Sequence, residues 1–103
     1  MPYAVQFTPE ADGQLAALYD YIAAEATPVT AERYITAIIN HCETLASFPK
    51  RAPAREDIRP GLRITHYKSR AIIAYTVDDD AKVVWILGIY YGGRDYEDEL
   101  KAD

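Results

Sequence analysis

Cysteine, histidine and glycine are scarce in this chain, and each scarcity removes a class of function. One cysteine, Cys42, among 103 residues leaves no internal disulfide and fits a reducing compartment, so the cytoplasm is the expected location. The two histidines, His41 and His66, do not combine with Cys42 at a metal-ligand spacing, so neither metal nor cofactor is expected. Gly92-Gly93 is the one adjacent glycine pair among five glycines. No capped helix pattern follows it as a phosphate cradle requires, and it reads as a flexible exit from a strand. No serine or cysteine nucleophile stands in a motif with a histidine base. No apolar run approaches the roughly 18 residues of a membrane span. The N-terminus lacks the basic-then-apolar order of a secretory leader, so no membrane partner is expected.

What the chain does have is a core. Half its residues are hydrophobic, which suits one globular domain over residues 1–103. The net charge is −5, yet residues 50–70 hold Lys50, Arg51, Arg55, Arg59, Arg63, Lys68 and Arg70 against only Glu56 and Asp57. An acidic chain with one basic segment is poorly built for nonspecific nucleic-acid binding, and sequence-specific DNA binding by the chain alone is not expected. It suits docking to an acidic partner.

Residues 3–7 alternate and read as a short strand. Thr8-Pro9-Glu10-Ala11 then opens a helix: Thr8 caps, Pro9 suits the first helical position, and Glu10 favours the positive end of the dipole. Ala11, Leu15, Leu18, Ile22 and Ala26 form one apolar stripe, ended by Thr27-Pro28. A second helix starts between Thr27 and Thr30, carries Ala31, Tyr34, Ile35, Ile38, Cys42 and Leu45 on one face, and stops at Phe48-Pro49. Residues 49–60 read as a loop. Residues 62–67, 70–77 and 82–91 read as three strands of a meander, with turns at Lys68-Ser69 and at residues 78–81. The fold expected is α+β: an N-terminal strand, then an antiparallel helical hairpin on one face of a small, mostly antiparallel sheet, in the order β-α-α-β-β-β.

With a two-residue first turn, Arg63 lies opposite Ala74, and Ala74 opposite Trp85. Leu62, Ile64, His66, Ala71, Ile73, Tyr75, Val77, Val84, Ile86 and Gly88 then sit beneath the helices. The other face, with Arg63, Tyr67, Arg70, Trp85, Leu87, Ile89 and Tyr91, has nothing left in the chain to cover it. A one-residue slip reverses this assignment. Residues 95–103 hold many acids and only Tyr96 and Leu100 as apolar anchors, which predicts a partly mobile tail. The arginines and tyrosines form a binding surface with incomplete catalytic equipment, since His66 falls on the buried face.

The order of elements, together with Phe7-Thr8-Pro9-Glu10-Ala11, Leu45-Ala46-Ser47-Phe48-Pro49, Arg59-Pro60-Gly61-Leu62-Arg63 and Gly92-Gly93-Arg94-Asp95-Tyr96, resembles the RelE/ParE superfamily of toxins from bacterial toxin–antitoxin pairs. The likeness covers nearly the whole chain. For the RelE-like branch, which cleaves messenger RNA on the ribosome, it implies Arg70 and Arg94 as functional arginines. The tyrosine usual six residues later falls on Leu100, so the acid or base that this branch implies is missing, and Tyr96 substitutes only if the tail folds back. The ParE branch is the more similar in its Arg-Pro-Gly-Leu-Arg and Gly-Gly-Arg-Asp text. That branch implies a toxin that binds and poisons DNA gyrase and is neutralised by a cognate antitoxin, with Arg63, Tyr67, Arg70, Trp85, Leu87, Ile89, Tyr91 and Arg94 meeting antitoxin or target. The alternatives are a ribosome-dependent endoribonuclease using Arg70, Arg94 and Tyr96, and an inactive toxin-fold binding protein.

Overall fold

The structure is a computed structural model that describes residues 2–92 and 96–101. Strand β1 (Ala4–Phe7) leads into helix α1 (Pro9–Glu25), helix α2 (Pro28–Glu43) and a 3-10 turn at Thr44–Ala46. After a long loop come β2 (Arg63–Tyr67), β3 (Ala71–Asp78), β4 (Val83–Tyr91) and a short helix α3 (Tyr96–Lys101). Both long helices begin where the sequence says they should. The Thr8 hydroxyl oxygen accepts from the Ala11 amide at 3.2 Å, and the Thr27 oxygen accepts from the Thr30 amide at 3.0 Å. Each satisfies an amide the first helical turn leaves without a partner. In both, proline follows the cap in the first turn.

The sheet runs β1-β4-β3-β2. β1 lies parallel to β4, and the other pairs are antiparallel. The helical hairpin and the loop after it therefore carry the chain from one edge of the sheet, β1, to the opposite edge, β2, and the meander then returns β4 beside β1. Ala11, Leu15, Leu18 and Ile22 of α1 and Ala31, Ile38 and Cys42 of α2 form one core with Ala71, Ile73, Tyr75, Val84, Ile86 and Ile89. These are the stripes the sequence predicts.

The faces of the sheet differ from expectation at two places. The β2–β3 turn has three residues, Lys68 to Arg70, with Lys68 at φ 55°. Arg63 consequently pairs with Tyr75 instead of Ala74. A second slip occurs in β4, where Tyr75 pairs with Ile86 but Ala74 pairs with Gly88. Leu87 is the extra residue of a bulge, and beyond it the parity of β4 reverses. Val84 and Ile86 face the helices before the bulge, and Ile89 does so after it.

Ile89 is thus core, and Tyr91 packs beside it, where both were expected on the open face. Ile64 moves to the opposite face, and His66 is exposed there instead of buried.

That opposite face is also not bare. Ile58 and Leu62 from the long loop and Leu100 from α3 close over Ile64, Ala74 and Tyr90, with Ile72, Leu87 and Tyr96 packed around them. Leu100 is 5% exposed, which corrects the expectation of a tail too polar to pack. Gly88 shows how tight this second layer is. A Cβ there would meet the Tyr90 ring at 2.6 to 2.8 Å.

β1 is shorter than β4, so the end of β4 pairs with β3 alone and has no strand on its other side. Helix α1 supplies side chains in its place. The Thr8 hydroxyl donates to the Leu87 carbonyl at 3.3 Å, and the Ile89 amide donates to Gln14 Oε1 at 2.7 Å. These bonds satisfy backbone groups that burial would otherwise penalise, and they fix the bulged end of β4 against the helix.

Candidate functional site

The predicted site residues do not gather in one place. Arg63 turns toward the long loop, where its guanidinium donates to the carbonyls of Ala52 and Lys50, and its backbone bridges to Ala54. It staples residues 50–54 to the sheet and is itself half-buried. Trp85 lies opposite Thr76, toward the other end of β4, and is 39% exposed. Leu87 packs into the second core cluster. Arg94 lies outside the described residues.

Arg70, Ile89 and Tyr91 do come together, at the end of the sheet where the β2–β3 turn meets α1. They line an open cleft of about 480 Å³ with Gln14, Leu18 and Tyr21. Behind the cleft runs a ladder of tyrosines. Tyr21 and Tyr91 have ring centroids 6.4 Å apart, Tyr91 and Tyr34 5.7 Å, and Tyr34 and Tyr67 5.8 Å. His41 extends it, 5.3 Å from the Tyr67 ring. Edge-to-face packing of this kind holds α1 and α2 to the turn end of the sheet.

The buried part of this ladder is electrostatically quiet. The Tyr34 hydroxyl is buried without a hydrogen-bond partner among the described residues. Burial raises its pKa, Tyr91 and Tyr67 raise it further, and Arg70 pulls weakly the other way. Burial also lowers the His41 pKa, with the Arg51 charge adding to the effect and a bond to the His66 backbone opposing it. Cys42 beneath α2 is pushed up to about 12 by burial, then by Glu43, so it is no nucleophile near neutrality.

Tyr96, the proposed stand-in acid or base, sits across the sheet from the cleft. Its ring lies 6.1 Å from Tyr90, a member of the second core cluster. Arg55 ties this region together: it pairs with Asp57 and with Glu97 of α3, each at 2.9 Å, and bonds the Tyr96 side chain. Its guanidinium is held still more firmly charged by Asp57 first and then Glu97. Among the described residues no three His, Cys, Asp or Glu side chains group as metal ligands would.

Tyr21, Tyr34 and Gln14 were absent from the sequence-derived site. The available signal was nine tyrosines in so short a chain, with Tyr21 on α1 just off its buried stripe and Tyr34 on α2 within its own. Nothing in the sequence marks Gln14 as a backbone acceptor, because that role depends on where β1 ends.

Residues 5–96 match the profile of a family described as the ParE toxin of the type II toxin–antitoxin system parDE. The fold resembles that in a chromosomal ParDE toxin–antitoxin system from P. aeruginosa, at TM-score 0.75 and 21% identity, covering 86% of this chain and 95% of that one. It also resembles a chain of the toxin–antitoxin complex RelBE2 from Mycobacterium tuberculosis, at TM-score 0.67 and 24% identity over 89% and 100% of the two chains. A mutant of E. coli toxin RelE in the free state gives TM-score 0.68 at 14% identity, over 98% and 95%. No curated protein sequence matches the chain.

Proposed function

We propose a function from one settled fact: the chain belongs to the ParE toxin family of type II toxin–antitoxin systems. It is the toxin of such a pair, held inactive in the cytoplasm by a cognate antitoxin. Free of that partner, it arrests growth by binding DNA gyrase and stalling its cycle, with no bond-breaking step of its own.

The observation that carries the non-catalytic reading is the separation of Arg70 from Tyr96. A ribonuclease needs a proton donor or acceptor within hydrogen-bond reach of the attacking hydroxyl or leaving oxygen, on the same phosphate that its arginine neutralises. Here Arg70 lies on the helix side of the sheet and Tyr96 packs on the other. Tyr34, the buried phenol that feels the Arg70 charge, has its pKa raised and so holds its proton more tightly near neutrality. The chain offers a surface for recognition.

Induced expression of the chain alone tests this in cells. Growth should stop while ribosome-bound messenger RNA stays whole, and co-expression of the cognate antitoxin should restore growth. Arrest accompanied by messenger RNA cut within translated codons would favour the endoribonuclease instead.

A further inference from the structure

The cleft at the β2–β3 turn is built from hydrogen-bond donors over an apolar floor. Leu18 and Ile89 form the floor, the Tyr21 and Tyr91 rings flank it, and exposed Arg70 stands at the rim. Gln14 completes the wall with its carbonyl oxygen already spent on the Ile89 amide, so the group it has left is the NH2 donor. No carboxylate is among the described lining residues, although acids outnumber bases sixteen to eleven in the chain. Arg70 also has no carboxylate partner among the described residues, unlike Lys50 and Arg55.

We propose that this cleft receives a glutamate or aspartate side chain from a segment of a partner protein, with an adjoining aliphatic side chain resting on Leu18 and Ile89 between Tyr21 and Tyr91. The inference rests on the toxin reading, under which that segment belongs to the antitoxin. The carboxylate takes the planar fork of the Arg70 guanidinium, which suits two parallel N–H···O bonds. The Gln14 amide is the second donor. The aliphatic neighbour covers apolar surface that one charge alone leaves wet. The volume suits one or two side chains and not a folded helix.

A nucleic acid phosphate carries the same charge but fits less well. Phosphate-backbone affinity is built from many cations at once, each releasing counterions. Among the described residues the cleft supplies one, on a chain of net charge −5. A single bidentate site flanked by aromatic rings selects an isolated carboxylate on a peptide.

The test uses the full chain labelled with 15N and two blocked tripeptides, acetyl-Leu-Glu-Leu-amide and its Leu-Gln-Leu counterpart. A short single-stranded oligonucleotide serves as the competing probe. The glutamate peptide should shift the Gln14 side-chain amide and the Ile89 and Gly92 backbone amides saturably, and the glutamine peptide should not. Arg70→Gln should weaken binding by roughly tenfold, equivalent to about 1.4 kcal/mol, whereas Arg33→Gln on the far side of α2 should leave it unchanged. Equal shifts from both peptides, or no shift at Gln14 at the highest soluble concentration, would overturn the proposal. So would an oligonucleotide that shifts the same amides and displaces the peptide. Because no outcome depends on growth arrest, the cleft can fail while the toxin reading stands, and the reverse.

Discussion

Arg63 and Arg70 look alike in the sequence, two arginines on neighbouring strands of a basic segment, and the structure gives them opposite work. Arg63 is spent on the Ala52 and Lys50 carbonyls. Arg63→Ala should therefore destabilise the fold by about 1–2 kcal/mol, since charge-assisted bonds to backbone are among the stronger ones but this one is partly solvated. Arg70→Ala should leave the unfolding free energy within about 0.5 kcal/mol, and so hardly move the urea midpoint, as surface substitutions away from the core do. Equal effects of the two changes on the midpoint would mean that Arg63 is not the staple. The sequence could not separate them because the difference depends on turn length. The left-handed residue of that turn is Lys68, where glycine or asparagine would have announced it.

His41 gives the pH dependence at this scale. Its folded-state pKa is lowered, first by burial and then by Arg51, so the unfolded chain binds the proton more readily, near the ordinary histidine value of about 6.5. Stability from this group is therefore complete above about 6.5 and is lost as pH falls through the lower folded value. Urea midpoints measured from pH 8 down to 5 should decline for the wild type and decline less for His41→Gln. Parallel declines would assign the slope to other groups.

At the scale of elements, the helices were legible and the sheet faces were not. Helical period shows in sequence because Ala11, Leu15, Leu18 and Ile22 repeat whatever the partner. A strand's face depends on counting through every turn and bulge, and the bulge at Leu87 is hinted at only by the neighbouring strand glycine, Gly88, which does not fix the register. Helix α3 was missed for a different reason. Its acids outvote its apolar residues in composition, yet Tyr96 and Leu100 are four apart and so share one helical face. That face closes the second core cluster. Leu100→Ala should lower stability by about 2–3 kcal/mol and remove hydrogen-exchange protection from the amides of residues 97–101. Protection that survives with an unchanged midpoint would return this segment to the mobile tail the composition suggests. The same helix, with Ile58 and Leu62 of the loop, covers part of the face opposite the hairpin, so Leu87 is spent on packing there while Trp85 stays partly exposed and Arg70 stays outward at the end of the sheet.

For the whole molecule, the distribution of charge agrees with a protein that meets other proteins. Its basic residues are partly consumed internally, by Asp79 at Lys50 and by Asp57 and Glu97 at Arg55. Among the described residues, Lys68 and Arg70 remain outward at the β2–β3 turn, beside a ladder of tyrosines. The family was legible in four short stretches of sequence. Three fall at defined features of the fold, namely the Thr8 cap, the 3-10 turn after α2 and the loop leading into Arg63, and most of the fourth lies outside the described residues. The target was not legible, since a binding surface carries no motif of reacting groups. The most direct measurement is a supercoiling assay with purified gyrase and relaxed plasmid, run beside a translating extract whose messenger RNA is mapped for breaks. The account predicts that the chain blocks supercoiling in proportion to its molar ratio to gyrase and leaves the message intact. Normal supercoiling at saturating protein, with the message cut in the extract, would contradict it.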